Sequence, residues 1–369
     1  MRYYLIAGER SGDLHAANLM KALKEQDPQA EFRCWGGDEM EKAGGELVTH
    51  YREMAFMGFV EVVKNIFKIK AFLKQCKKDI LAYQPDVVIM VDYAGFNLKI
   101  AAFAKQKGIK TFYYISPKIW AWNQGRAHKI KRIVDRMFVI MPFEKEFYKR
   151  FDYEVDYVGN PLLDAIAQFQ PNPDFHEKNK LSPDKPVIAI LPGSRKQEVK
   201  DMLATMLTIR GKYDQKYQLV VAGVDNLPAE LYKEAQEQQM KVIYNQTYDL
   251  LAHAEAAVVT SGTATLETAL FEVPEVVCYR LSALQYSLVK LLIKVNHISL
   301  VNIIAGKEVV KELIQDEFNT TRLTEELDKV LGQNRERILA DYKELKQLIH
   351  TEGASERAAS LMVSYLKEK

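Results

Sequence analysis

Three short stretches combine residue types suited to holding a charged leaving group and moving a proton. The first is Ser261-Gly262-Thr263-Ala264, which follows the apolar run ending in Val258-Val259 and opens a helical pattern to Phe271. A strand, a tight turn and a helix start in that order aim backbone N–H groups at an anion, and Gly262 lets a phosphate approach with no Cβ in the way. An ordinary turn capped by Ser261 or Thr263 has the same pattern. Glu267 follows about a turn and a half along the helix. There its carboxylate is placed either to accept from ribose hydroxyls or simply to sit near the positive helix end. The second stretch is Pro192-Gly193-Ser194-Arg195, again between an apolar run and a helix. It resembles half of a diphosphate clamp, in which an Arg195 hydrogen bond to phosphate contributes roughly 1.5–3 kcal/mol. The competing reading pairs Arg195 with Glu198 on a solvated helix start. The third is Asp92, which ends the apolar run Val87–Val91. A partly desolvated carboxylate at the carboxyl end of a central strand is a candidate general base for an alcohol, because desolvation raises its pKa toward the useful range. Helix capping is the alternative, a role Asn97 fills equally well.

Around Asp92, the residues Glu9, Ser11, Asp13 and Ser116 are polar groups expected at the same rim, where they are candidate substrate binders. The stretch 59–73 carries an apolar face of Phe59, Val62, Val63, Ile66, Phe67 and Leu73, with Lys64, Lys68 and Lys70 interspersed. A basic amphipathic helix of this kind lies either on an anionic membrane or on its own sheet with lysines in solvent. Leu284–Ile293 invites the same two readings. Trp120 and Trp122 follow Ser116-Pro117 in an expected loop, where they either border an apolar substrate or pack in the core.

The elements that must position these residues form two series. Strands are expected at Tyr3–Ala7, Phe32–Trp35, Val87–Val91, Thr111–Ile115 and Phe138–Met141, with a turn over 8–13 and helices at Leu14–Gln26 and Leu98–Lys107. A second βα series has strands at Val187–Leu191, Leu219–Ala222, Val242–Tyr244, Val258–Thr260 and Val276–Tyr279. Apolar strands alternating with helices imply parallel sheets covered on both faces. Pro171, Pro173, Pro183 and Pro186 mark a linker. The chain therefore reads as an α/β protein with two doubly wound Rossmann-like domains, 1–170 and 187–340, joined by a linker at 171–186. A helical tail, 341–369, completes it. Ligands of such domains bind beyond the carboxyl ends of the strands, in a cleft between the two.

Composition excludes several classes. With 51 Lys+Arg against 49 Asp+Glu, the net charge of +2 gives no overall electrostatic case for nucleic acid. Three scattered cysteines, Cys34, Cys76 and Cys278, form no CxxC pair, which argues against a disulfide framework or zinc site and fits a reducing, cytosolic compartment. The chain enters its first strand at once with no signal-peptide pattern, and no uncharged apolar run approaches a membrane span, so membrane association is expected to be peripheral. Neither a Walker motif nor a GxGxxG fingerprint occupies the turns, which weakens ATPase and dinucleotide readings.

Taken together the residues resemble the lipid A disaccharide synthases, inverting glycosyltransferases of the GT-B fold. The resemblance spans nearly the whole chain through AGERSGD (7–13), EMAFMGFVEV (53–62), VDYAGFN (91–97), SPKIWAWNQGR (116–126), MPFEKEFY (141–148), LPGSRKQEV (191–199), SGTATLE (261–267) and SLVNIIAGKEVVKELIQ (299–315). It implies transfer of 2,3-diacylglucosamine from UDP to the 6-hydroxyl of 2,3-diacylglucosamine 1-phosphate, giving a β(1→6) disaccharide. It further implies Asp92 as general base and a UDP site of Gly193, Ser194, Arg195, Ser261, Gly262, Thr263, Ala264, Glu267 and Asn302. The acceptor side is assigned to Glu9, Arg10, Ser11, Gly12, Asp13, Asn97 and Ser116. No D-x-D motif occurs, so no metal and no cofactor is expected. The resemblance also implies a peripheral enzyme on the inner face of the cytoplasmic membrane, and a homodimer with exchanged C-terminal segments in which the tail packs on an N-terminal domain. The family often writes D-x-P-D-F-N where this chain has Gly95 as its fourth residue, and GHPL where it has Asn160. Two other classes compete: a GT-B UDP-GlcNAc transferase or epimerase acting on an unacylated sugar, and a non-catalytic nucleotide-sugar binding protein on the membrane.

Overall fold

The computed structural model describes residues 1–54, 65–281, 286, 296–349 and 353–368. They form two compact units, the first made of Met1–Asp164 with Thr351–Lys369, the second of Ala165–His350.

Unit 1 contains β1 (Arg2–Ala7), β2 (Glu31–Gly36), β3 (Glu46–His50), β4 (Val87–Val91), β5 (Lys110–Tyr114), β6 (Arg136–Val139) and β7 (Asp156–Tyr157). Their order is β3-β2-β1-β4-β5-β6-β7, with every recorded pairing parallel. Strand β4 is buried at all five positions because helices cover both faces, which is why its sequence is an unbroken apolar run. Burying a side chain such as Ile89 completely contributes about 1.5–3 kcal/mol. The chain runs outward from β1 in one direction and from β4 in the other. The β1–β4 boundary, with Ala7 paired to Val91, is therefore the topological switch point.

Unit 2 repeats the plan with β8 (Val187–Leu191), β9 (Gln218–Gly223), β10 (Lys241–Tyr244), β11 (Ala254–Thr260), β12 (Glu275–Tyr279) and β13 (Lys311–Ile314) in the order β10-β9-β8-β11-β12-β13. Its switch point lies between β8 and β11, where Leu191 pairs with Val259. The two doubly wound parallel sheets expected from the sequence are thus both present.

Some boundaries differ from the sequence reading, for physical reasons. The first helix spans Arg10–Gln26, so Ser11-Gly12-Asp13 are helical rather than a turn. An added Cβ on Gly12 would lie 3.4 Å from Ala7 Cβ, an ordinary contact that places this face of the helix against β1. The helix after β4 starts at Ala94, because Asp92 and Tyr93, at φ 47° each, complete the reversal in two residues. Residues 171–186 lie in unit 2, with Phe175 and Leu181 in its core. The last helix, Ala354–Lys367, lies in unit 1, where Ala358, Ala359, Met362 and Val363 join a core containing Leu19, Met20, Phe112 and Phe138. Asp164 caps this helix, accepting from the N–H groups of Gly353 (2.7 Å) and Ala354 (2.9 Å).

Among the described residues, no helix is long and apolar enough to cross a membrane. Phe59, Val62, Val63 and, apart from Tyr286, the stretch Leu284–Ile293 lie outside the described residues. The helix Ile66–Tyr83 buries only Cys76 and Ile80; Ile66 is 43% exposed, Phe67 81%, and Leu73 half-buried.

Candidate active site

At the switch point of unit 2, two turns leave the carboxyl edge. After β8, Gly193 adopts φ 111°, a conformation that favours glycine, and a Cβ there would fall 2.6 Å from Glu198 Cβ and Oε2. Arg195 is the N-cap of the helix Lys196–Leu207, and Glu198 reaches back as its capping-box partner. Glu198 Oε2 accepts from the N–H of Ser194 (3.1 Å) and of Arg195 (3.2 Å), while Oε1 accepts from the Arg195 guanidinium (3.0 Å). The Arg195–Glu198 pairing weighed as an alternative is therefore present, on an arginine 54% exposed. It also identifies the turn's chemistry: two amides and a guanidinium converge on carboxylate oxygens, a donor set equally suited to phosphate oxygens.

After β11, the helix Thr263–Leu270 begins behind Gly262, whose backbone is extended. Among the described residues a Cβ on Gly262 would meet only Thr260 O, at 3.9 Å. Ser261 is fastened from both sides: its N–H donates to Cys278 O (3.0 Å) and its hydroxyl to Ile298 O (2.8 Å). The amides of Gly262, Thr263 and Ala264 precede the helical ladder and have no intrahelical acceptor by geometry. Glu267 is half-buried and accepts from Tyr248 Oη at 3.1 Å. Burial pushes its carboxyl above the ordinary range against the opposing pull of that hydrogen bond.

Asn302 holds the loop beside this turn. Its Nδ2 donates to Val310 O and Glu312 Oε1 (2.9 Å each), and its Oδ1 accepts from the N–H groups of Val309 (2.8 Å) and Val310 (3.0 Å). Glu312 also accepts from Ile298 and Ser299, so this buried network fixes Ile298, which in turn receives Ser261. Asn302 thus has its amide fully engaged within the fold and acts on the turn indirectly.

In unit 1 the rim residues divide into those consumed by the fold and those facing outward. Asp13 is 2% exposed and accepts from the N–H groups of Gly37 (2.7 Å), Glu39 (3.1 Å) and Met40 (3.2 Å), tying the first helix to the helix Asp38–Lys42. Asn97, fully buried, donates through Nδ2 to Ile6 O and Val91 O (3.3 Å each) and to Asp92 O (2.8 Å), clamping the ends of β1 and β4 together. Ser116 is buried and donates to Glu144. Gly12 packs on β1, while Ser11 and Arg10 are exposed and Glu9 is half-buried.

Asp92 itself is half-buried at the tip of β4. Its N–H donates to Tyr114 O (3.2 Å), and its carbonyl accepts from both Asn97 Nδ2 and the Tyr113 hydroxyl. Left-handed backbone at two successive non-glycine residues, Asp92 and Tyr93, is a strained arrangement that surrounding bonds must enforce. Tyr93 Oη donates to Met54 O (2.7 Å), and its ring lies where a Cβ on Gly8 would stand, 2.2 Å from Tyr93 Cγ, so the Gly8 turn and the Asp92 turn are packed as one piece. Gly95, in contrast, has nothing among the described residues within 4 Å of an added Cβ.

Glu144 escaped the sequence reading. It is 2% exposed, accepts from the N–H groups of Met141 (2.9 Å) and Ile140 (3.2 Å) and from Ser116, and burial pushes its carboxyl up to about 7 against those hydrogen bonds. The available signal was Pro142 followed by Glu144, a helix start with its capping carboxylate, but nothing local reveals the Ser116 partner 28 residues away.

The chain matches the family model described as lipid-A-disaccharide synthetase over residues 3–364. It is 39% identical to a lipid-A-disaccharide synthase of Syntrophus aciditrophicus over 373 residues, covering 99% of this chain and 97% of that one. Against the Geobacter sulfurreducens protein of the same name the identity is 37%, with coverages of 99% and 97%. Among solved structures, UDP-GlcNAc 2-epimerase from Neisseria meningitidis bound to UDP-GlcNAc superposes with a TM-score of 0.70 at 12% identity, covering 99% of this chain and 100% of that one. The glycosyltransferase of kitacinnamycin gives 0.68 at 12%, with both chains 99% covered. At these identities the structural likeness concerns the fold, GT-B.

Proposed function

The chain belongs to the lipid-A-disaccharide synthetase family, and from that premise we propose how its two carboxyl edges divide the reaction. It is a glycosyltransferase that forms the lipid A disaccharide from a UDP-sugar and a sugar acceptor. In the proposed reaction the donor is UDP-2,3-diacylglucosamine and the acceptor 2,3-diacylglucosamine 1-phosphate. Asp92 takes the proton from the acceptor 6-hydroxyl as that oxygen attacks the anomeric carbon. The bond from this carbon to the β-phosphate oxygen breaks with inversion, and UDP leaves carrying the electron pair. The amides of Gly262, Thr263 and Ala264 and the Gly193-Ser194-Arg195 turn receive the charge that develops on UDP. Glu198 vacates the Arg195 turn for phosphate, Glu267 accepts from the ribose, and Asn302 holds the Ser261 turn in place. On the acceptor side, Glu9, Arg10 and Ser11 border the sugar, while Gly12, Asp13, Asn97 and Ser116 build the rim behind them.

The observation that carries this reading is the pair of switch points: one bears a carboxylate held on strained backbone, the other two anion-ready turns. Mass spectrometry of a reaction between the acylated donor and its 1-phosphate acceptor should show a β(1→6) disaccharide 1-phosphate and UDP. Absence of disaccharide, or equal turnover of unacylated sugars, rejects it.

The exposed Ile66 and Phe67 beside Lys68, Lys70 and Lys74 support peripheral attachment to the inner face of the cytoplasmic membrane. Cosedimentation with anionic vesicles should fall in Phe67→Glu, and unchanged binding removes this helix from the interface. The expected tail divides, residues 341–349 lying in unit 2 and the helix Ala354–Lys367 in unit 1; we further infer a homodimer in which this last helix is exchanged, and light scattering reporting a monomer would end that idea.

A further inference from the structure

Trp122 and Arg126 have no role in the division above. Of the three tryptophans, Trp35 and Trp120 are 0% and 6% exposed, whereas Trp122 is 43% exposed and carries the Arg126 guanidinium 5.0 Å from its ring centroid. The pair is built rather than loosely displayed. Trp122 ends a short helix, Asn123 N–H bonds back to Ile119 O (2.9 Å), Gln124 Nε2 donates to Trp120 O (3.0 Å), and Arg126 N–H closes onto Asn123 O (3.1 Å). A ring in contact with a guanidinium restricts both side chains, so less freedom is lost when a ligand arrives.

Its location gives the pair meaning. The segment follows β5, the neighbour of β4 at the carboxyl edge. The Tyr113 hydroxyl, on β5 itself, donates to the carbonyl of Asp92. Strand β5 therefore both braces the Asp92 turn and leads into the segment that carries Trp122 and Arg126. A hexosamine 1-phosphate carries both kinds of group on one ring: its 6-hydroxyl, through C6 on C5, and its phosphate, on C1, flank the ring oxygen, and the ring's C–H face is apolar enough to stack on indole.

We propose that Trp122 and Arg126 form the acceptor's anomeric-phosphate subsite, with the indole under the sugar ring and the guanidinium bonded to the 1-phosphate. This deepens the glycosyltransferase reading and rests on it. Arg126 is favoured over Lys118 because its planar fork matches two phosphate oxygens, and over Arg10 because its guanidinium lies against the exposed indole of Trp122.

The test compares the 1-phosphate acceptor with its dephosphorylated counterpart in steady-state kinetics. Arg126→Gln should raise KM for the phosphorylated acceptor about 10- to 100-fold, the loss of a charge-assisted bidentate contact, leave KM for the UDP-sugar within about twofold, and abolish the preference for phosphorylated acceptor. Arg126→Lys should recover part of that preference, and Trp122→Ala should weaken both acceptors alike. The subsite is refuted if Arg126→Gln keeps the preference, if Arg10→Gln removes it instead, or if donor and acceptor KM rise together. Should the native protein make no disaccharide, the glycosyltransferase reading fails separately. The subsite is then judged by titrating glucosamine 1-phosphate against intrinsic tryptophan fluorescence: quenching lost in both Arg126→Gln and Trp122→Phe supports it, and none in the native protein rejects it.

Discussion

The carboxyl edges of the two sheets both carry polar residues but use them differently. In unit 2 the edge is mostly backbone: glycine-bearing turns whose N–H groups converge, with Glu198 occupying one of them as a carboxylate. In unit 1 the edge is mostly side chain, and much of it is committed to the fold. Asp13 caps a neighbouring helix, Asn97 ties two strands, and Ser116 bonds a buried carboxyl. A backbone anion site survives wide variation in sequence, whereas a carboxylate base needs an apparatus to hold it, and unit 1's consumed residues are that apparatus around Asp92.

The largest expected break in this contrast is Asp92→Asn, which should lower kcat by about 10²- to 10⁴-fold while UDP binding, measured by calorimetry, stays unchanged. A near-normal rate would leave unit 1 without a base. Next, Arg195→Lys keeps the charge but loses the fork, and should weaken UDP about tenfold with little change in acceptor KM; an effect confined to the acceptor would reverse the assignment of the two edges. Asp13→Ala should cost about 1–3 kcal/mol in a denaturant melt by stranding backbone N–H groups at Gly37, Glu39 and Met40. If Asp13 is structural, residual enzyme keeps its KM values, and a selective rise in acceptor KM would return it to the site.

The smallest effect lies away from both edges. Glu275, fully buried as the first residue of β12, has its carboxyl pushed well above the ordinary 4.5 by burial, with Tyr342 opposing. A carboxyl neutral when folded contributes its stability fully below the unfolded chain's value and loses it as pH rises toward the folded one. Glu275→Gln should therefore melt like the native protein near pH 4 and higher than it at pH 8. A gap that does not widen with pH would show that Glu275 is ionised in the core.

Elements whose side chains are all apolar were legible from sequence: β4 and β8 match the expected Val87–Val91 and Val187–Leu191. The missed strands, β3 (Glu46–His50), β7 (Asp156–Tyr157) and β13 (Lys311–Ile314), are short, mix charged or polar with apolar residues, and each closes one side of its sheet. The Ser261–Ala264 and Gly193–Arg195 turns were legible because their geometry is local. Hydrogen-bond commitments were not: Asp13 meets Gly37 across 24 residues, and Asn302 answers to Glu312. Position at an edge can be read from periodicity, but availability depends on partners folded in from elsewhere.

The path of the chain through its units has a consequence for synthesis. Unit 1 releases the chain after Asp164 and recovers it at Thr351, and its core lacks Ala358, Ala359, Met362 and Val363 until all of unit 2 has been made. Every residue of unit 2 lies between these crossings. The unit begun second is thus the first that can be finished, and the sheet bearing Asp92 waits, with the flank of its first helix uncovered, for a strand of protein translated some 190 residues after Asp164. A stop codon before residue 354 would leave unit 2 whole and unit 1 permanently unclosed.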